Sequence, residues 1–216
     1  MNKKQKIALT LNVVIFLMAV VGCVLCFNVK SDPLGHAIKV LHYFTLQSNI
    51  FAGVISLIYI IFALKKHTSK KFEKVLHILR YIITVNLIIT FLVVTLFFGF
   101  IAEDGYFSMF ENANFFFHFA IPVTNFVSFV FFENVFKLKI SHTFFGMIHI
   151  GLYGIYYLIN CLLHYENGSV PITYDWYYFT QFGIVWAFII AFVILLIAYL
   201  VCFLLCKLKN KIFKNN

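Results

Sequence analysis

The sequence predicts an all-α, polytopic membrane protein built as a bundle of six transmembrane helices. Of its 216 residues, 62% are hydrophobic and only 12% are charged, and the apolar residues fall in long runs. Soluble domains are closer to half apolar and a quarter charged, and about 20 consecutive apolar residues span a bilayer core. The runs are solid blocks of Ile, Leu, Val and Phe, whereas a membrane barrel would show short alternating strands, so helices are favoured.

The six apolar runs give the expected spans, and no linker between them is long enough to divide residues 1–216 into two domains. A basic segment precedes the first run, as in a signal peptide, but no clear small-residue cleavage site follows. We therefore expect this run to stay as an anchor. We place the spans near 7–27, 40–64, 76–100, 114–136, 141–163 and 177–206.

The positions of the basic residues that give the net charge of +9 indicate how the chain is oriented in the membrane. All of the 17 basic residues except Lys30 and Lys39 lie at the termini or in the links after the second and fourth spans. The positive-inside rule then predicts a multi-pass protein of the cell membrane with both termini cytoplasmic, surrounded by membrane lipid and with no nucleic-acid partner. We expect His67 and His77, in the basic link, to be solvated. The other links hold most of the acids, namely Asp32, Glu103, Asp104, Glu111, Glu166 and Asp175.

Polar side chains within the spans are the candidates for function, because they are costly in a bilayer. In the stretch HYFTLQSN, at about 100° per residue, His42, Thr45 and Asn49 share one helix face. The fourth span places Asn114 and His118 on one face, with His118 at nearly the depth of Thr45. Pro122 follows His118, and a kink is expected there because proline lacks the N–H that a helix needs.

The fifth span carries a polar stripe across the whole membrane, and the loop after it ends in the aromatic motif TYDWYYF. Asp175, within that motif, is the acid closest to the expected cavity mouth. The stripe consists of His142, His149, Tyr153, Tyr156, Asn160 and His164.

Three interpretations follow from these residues. A hydroxyl and a neutral imidazole at matched depth suggest a nucleophile, Thr45, and its base, His118. The positive ends of both helices lie at that depth and disfavour imidazolium. Thr45 by itself is more often a helix-packing residue, and a full-thickness stripe is instead typical of a carrier or binding protein. A metal site from His118, His149 and His164 is disfavoured by the rise of about 1.5 Å per residue, so we expect no metal and no cofactor.

The motifs YFT-x-x-x-N, FHFAIPVTNF and TYDWYYF resemble those of the androgen-induced and androgen-dependent multipass proteins and their bacterial relatives. The animal members are threonine hydrolases that cleave fatty acid esters of hydroxy fatty acids. The resemblance implies that Thr45 is the nucleophile, His118 its catalytic partner and a lipid ester the substrate. Gln47 and Ser48, between Thr45 and Asn49, depart from the animal pattern. The residues expected to bind substrate or orient these two groups are Asn49, His42, Asn114, Asn160, His164 and Asp175.

Overall fold

The computed structural model describes residues 1–28, 39–65, 69–133 and 135–214 and confirms the predicted all-α fold. None of the described residues forms a β-strand, and six helices are long and apolar enough to cross a membrane, so this is a multi-pass membrane protein. The helices are α1 (Lys3–Phe27), α2 (Phe44–Leu64), α3 (Lys70–Ile101), α4 (Asn112–Phe132), α5 (His142–Leu163) and α6 (Ile184–Lys214).

Successive helices run in alternate directions, so the bundle has two chemically different ends. The basic end holds Met1, Lys214 and the described residues of the links after α2 and α4, and the acidic end holds the loops 102–111 and 164–183. Helix α3 is the most enclosed of the six, with 50% of its most apolar segment buried, compared with 17% for α6. The large apolar side chains that α6 leaves exposed are those expected to face lipid.

Side chains just before α1 and α3 fix where these two helices begin. The Asn2 side chain accepts a hydrogen bond from the Gln5 N–H, and the Gln5 side chain accepts one from the Asn2 N–H, each 2.9 Å long. The Ser69 hydroxyl accepts from the Phe72 N–H at 3.2 Å and starts α3 in the same way. Both contacts satisfy backbone donors that the first turn of a helix leaves unpaired.

Two helices begin later than the sequence predicts. Helix α2 starts at Phe44, after an extended Tyr43, so the prediction that His42 shares a helix face with Thr45 was wrong. Helix α6 starts at Ile184, because residues 177–183 form turns in which Tyr178 and Gly183 have positive φ angles. The Phe44 N–H donates to the distant Tyr177 hydroxyl, and the Phe179 and Thr180 N–H groups donate to the nearby Asp175 carboxylate, so these donors are not available to a longer helix.

Helix α4 is irregular where the sequence predicts a kink. Its backbone is π-helical over Phe116–Ala120, which ends two residues before Pro122, and again over Ser128–Phe132. A π-helical turn widens the helix and is frequent at functional sites. The irregular turn contains His118, so the expected distortion falls on the candidate base.

The basic end buries charge that the sequence analysis assigns to solvent. His77, expected to be solvated, is 2% exposed, and His67 lies outside the described residues. Arg80, expected in the link, lies within α3 and forms an ion pair with the buried Glu133 at 2.8 Å. Lys209, expected in the tail, is fully buried because α6 continues to Lys214. A hydropathy average over many residues does not reveal that a single charged side chain is buried beside a partner distant in the sequence.

Candidate active site

An apolar cavity of about 1040 Å³ opens toward the acidic end between α2, α3, α4, α5, α6 and the loop before α6. Three of the predicted site residues line it: Thr45, Asn114 and His118. The others do not. Asn49 lies just behind the wall, whereas His42, Asn160, His164 and Asp175 are held in contacts around the mouth, described below.

Thr45 is the second residue of α2 and is half-buried. Its carbonyl accepts hydrogen bonds from the Ser48 hydroxyl at 3.0 Å and the Asn49 amide at 2.7 Å. Its own hydroxyl makes no hydrogen bond to any described residue. The carbonyl four residues earlier belongs to Leu41, which precedes the extended Tyr43 and accepts from the Gln47 amide at 2.9 Å, so Thr45 does not bond to it as a packing threonine within a helix would. The Thr45 hydroxyl is therefore left for a group inside the cavity.

His118 is buried, and a backbone carbonyl fixes its ring. The ring Nδ1 lies 2.6 Å from the carbonyl oxygen of Met109, in the turn that precedes α4. A carbonyl can only accept, so Nδ1 carries the proton and the neutral ring has its lone pair on Nε2. Among the described residues Nε2 has no hydrogen-bond partner. This is the tautomer that a general base needs.

Asn49 ties the two candidate groups together. Its amide nitrogen donates to the Thr45 carbonyl at 2.7 Å and to the Phe117 carbonyl, next to His118, at 3.1 Å. Both amide hydrogens are then engaged, so Asn49 has none left for an oxyanion. The geometry fits a positioning residue that holds the start of α2 against the irregular turn of α4.

Asp175 organises the turn before α6. One carboxylate oxygen accepts from the Phe179 N–H at 3.0 Å and also from the Tyr157 hydroxyl, and the other accepts from the Thr180 N–H at 2.9 Å and the Thr180 hydroxyl at 2.5 Å. These four bonds use the carboxylate fully. The sequence suggests Asp175 or His164 as the residue that orients His118. In the structure the Met109 carbonyl orients the ring instead.

Two tyrosines that sequence reasoning gave no role connect the aromatic motif to Thr45. The Phe44 N–H, one residue before Thr45, donates to the Tyr177 hydroxyl at 2.9 Å. Tyr177 is hydrogen-bonded to Tyr153, which donates to the His42 carbonyl at 2.6 Å. Burial raises the pKa of Tyr177 to about 12, which keeps the phenol neutral. The signal in the sequence was the TYDWYYF motif, but its target could not be identified from spacing.

The polar stripe of α5 is used for contacts within the protein. The Asn160 amide donates to the Tyr174 carbonyl at 2.6 Å, and His164 donates to the Asn160 carbonyl at 2.8 Å. His149 Nδ1 accepts from the Asn86 amide at 2.9 Å. The His42 ring pairs with the Tyr156 hydroxyl. The three histidines considered for a metal therefore bond to different partners.

Comparison with known proteins adds no assignment: no protein-family model, curated protein or solved structure matches this chain.

Proposed function

We propose that this protein is an integral-membrane hydrolase of lipid esters, with Thr45 as nucleophile and His118 as general base. The observation that carries the proposal is that both side chains line one apolar cavity, each with its reactive atom unengaged by the described residues. A threonine hydroxyl is a weak nucleophile until a base removes its proton, so the pair is chemically meaningful where either residue alone is not.

The mechanism is acyl transfer in two steps. Thr45 Oγ attacks the ester carbonyl carbon while His118 Nε2 takes the hydroxyl proton, and the imidazolium returns that proton to the departing alcohol oxygen. A water molecule, deprotonated by Nε2, then attacks the acyl-threonine, releases the acid and restores both side chains. The first turn of α2 has no side-chain cap, and its positive dipole end favours the negative charge that develops beside Thr45.

The cavity wall supports a lipidic substrate. Apolar side chains of α3, α5 and α6 form most of it, and they would cover an acyl chain whose ester group reaches Thr45. The resemblance to hydrolases of hydroxy fatty acid esters makes long-chain hydroxy-ester lipids the first substrates to test.

A non-catalytic carrier is the second candidate, and the full-thickness stripe of α5 is the feature that favours it. The hydrogen bonds of the stripe weaken the carrier interpretation, because Asn160, His164 and His149 are bonded within the chain. A carrier would bind lipid in the same cavity without dependence on the Thr45 hydroxyl.

The site lies at the outer face of the cell membrane if the basic end is cytoplasmic, as the charge distribution favours. A membrane-impermeant thiol reagent should then label Asp104→Cys and Ser169→Cys on intact cells, and Lys214→Cys only after permeabilisation. The unsubstituted chain controls for its natural cysteines. The reverse pattern would contradict this orientation.

A serine- and threonine-directed fluorophosphonate tests the nucleophile directly. We expect the folded protein to be labelled at Thr45 and the label to be lost in Thr45→Ala. Thr95→Ala is the matched control, because its hydroxyl donates to the Phe91 carbonyl at 2.6 Å and lies outside the cavity wall. Labelling that survives Thr45→Ala, or that requires heat denaturation, would argue against an activated threonine.

A further inference from the structure

A second cavity, of about 790 Å³, lies at the basic end of the bundle, opposite the candidate active site. Side chains of α1, α2, α3, α4 and α6 line it. Its wall mixes polar side chains with aromatic rings, whereas the wall of the first cavity is mostly apolar. Its volume falls in the range of sites that hold small molecules, and a few polar groups in such a wall fix how a ligand is oriented.

An ion pair forms part of this wall and neutralises its own charge. Arg80 and Glu133 both line the cavity, and the Arg80 guanidinium donates to the two Glu133 carboxylate oxygens at 3.0 and 2.8 Å. A third N–H of Arg80 donates to the Ser56 hydroxyl at 3.2 Å. A guanidinium has five N–H groups, so one on each terminal nitrogen is left without a partner among the described residues. These N–H groups can donate to uncharged oxygen atoms of a ligand.

His77 provides both a hydrogen-bond donor and an acceptor that the protein does not use. It lines the cavity, is 2% exposed, and neither ring nitrogen has a hydrogen-bond partner in the described part of the chain. Its ring packs between Phe129 and Phe136, with centroids 5.1 and 4.9 Å away. A neutral imidazole has one N–H and one lone pair, and buried polar atoms normally have partners. The two unpartnered nitrogens therefore indicate a ligand group that can both donate and accept.

Tyr59 adds a third polar group, at nearly the depth of His77. Its side chain lines the cavity within the electric field of Glu133 and Arg80, and its hydroxyl has no hydrogen-bond partner among the described residues. Tyr59 lies five residues before the end of α2 at Leu64, and His77 lies seven residues after the start of α3 at Lys70. At about 1.5 Å per residue, both are about 7–11 Å from the helix ends.

That depth is the boundary between the lipid headgroups and the hydrocarbon core. Helix α3 has 32 residues and is therefore about 48 Å long, whereas the hydrocarbon core is about 30 Å thick. A centred α3 projects beyond the core by about 9 Å at each end. His77 and Tyr59 then lie where the headgroup of a lipid in the adjacent leaflet can reach them.

We infer that this cavity binds an uncharged, hydroxyl-bearing lipid headgroup, such as the sugar of a glycosyl diacylglycerol. A hydroxyl both donates and accepts, which matches the ring nitrogens of His77, the Tyr59 hydroxyl and the spare N–H groups of Arg80. The C–H faces of a sugar ring are apolar and can pack against the aromatic rings of the wall. Those rings belong to Phe62, Phe72, Phe132 and Phe213. This inference concerns the opposite end from the proposed hydrolase site and does not depend on it.

The test uses the purified full-length protein in a zwitterionic detergent that contains no sugar. The protein is titrated with short-chain monoglucosyl diacylglycerol, short-chain phosphatidylcholine or free glucose, and binding is followed by the shift in Tm. The test variant is His77→Phe, which keeps an aromatic ring against Phe129 and Phe136 but removes both nitrogens. The matched control is His142→Phe, because His142 also contacts Phe136 at the basic end but does not line the cavity. Tyr59→Phe, which removes only a hydroxyl, is the second test variant.

We expect the glycolipid to raise the Tm more than phosphatidylcholine does. Its affinity should fall about tenfold in His77→Phe and in Tyr59→Phe, since each loses hydrogen bonds to the ligand, but little in His142→Phe. The ligand-free His77→Phe protein should have a Tm no lower than that of the parent, because the substitution removes buried polar atoms that have no partner.

The remaining arms separate the sources of the sugar and the outcomes that would contradict the inference. Displacement of the glycolipid by free glucose would show that the sugar alone is recognised, and binding of the glycolipid without such displacement would show that the lipid chains are also needed. Equal responses to the two lipids would overturn the inference. A lower Tm of ligand-free His77→Phe, with unchanged affinity for the glycolipid, would also overturn it and would assign His77 a structural role.

Discussion

Thr45→Ala should abolish hydrolysis of long-chain hydroxy-ester lipids while the protein still inserts and folds. The substitution removes a hydroxyl that makes no hydrogen bond to the described residues, and interhelical polar contacts in membranes average only about 0.6 kcal/mol. Loss of a nucleophile lowers the rate by at least about a thousandfold. Release of free fatty acid from the ester, measured beside the Tm of each variant, separates the two effects.

The companion variants make this prediction specific. Thr45→Ser keeps the hydroxyl and should retain part of the activity, and Thr95→Ala should behave as the parent protein. His118→Ala should match Thr45→Ala, and the double variant should be scarcely worse than either, because a nucleophile and its base act as one unit. If Thr45→Ala hydrolyses the ester as fast as the parent protein, the threonine mechanism is wrong and the carrier interpretation is better.

Arg80→Ala should be the most destabilising single substitution in the basic end. It leaves the Glu133 carboxylate buried with two neutral hydrogen-bond donors, the Ser128 hydroxyl at 2.7 Å and the Asn12 amide at 3.0 Å, and with no cation hydrogen-bonded to it, since Lys209 interacts with it only through its field. Removing one partner of a buried ion pair costs about 3–5 kcal/mol, because the remaining charge keeps its desolvation penalty. Thermal unfolding in detergent should show a large decrease in Tm.

Two further variants test the cause of that loss. Lys74→Ala removes an exposed positive charge from the same helix and should change the Tm little. Arg80→Met with Glu133→Leu removes both charges and should recover much of the stability, since neither charge is then left buried alone. A decrease for Arg80→Ala no larger than that for Lys74→Ala would mean that Glu133 reaches water and is not held in a sealed pair.

The aromatic motif illustrates how far the sequence leads toward the site. TYDWYYF was recognisable as a motif, and its position before the last span was correct. Its partners were not predictable: Asp175 binds the backbone of Phe179 and Thr180, whereas Tyr177 reaches the start of α2. Side chains that bond to backbone atoms have no matching residue type elsewhere in the sequence, so no pattern can identify the contact.

By itself, the sequence determined the fold class, the six spans and the two chemically different ends, because burial in a bilayer depends on the local average of apolar residues. It also singled out Thr45 and His118, since polar side chains are conspicuous in apolar runs. Only the tertiary structure decided the rest. The Met109 carbonyl that sets the His118 tautomer, and the pairing of Arg80 with Glu133, join residues whose contact depends on how helices pack. Every residue has a backbone carbonyl, so the sequence cannot indicate which one accepts a given hydrogen bond. A charged residue is assigned to solvent from the sequence unless its partner is known, and the partner is known only from the packing.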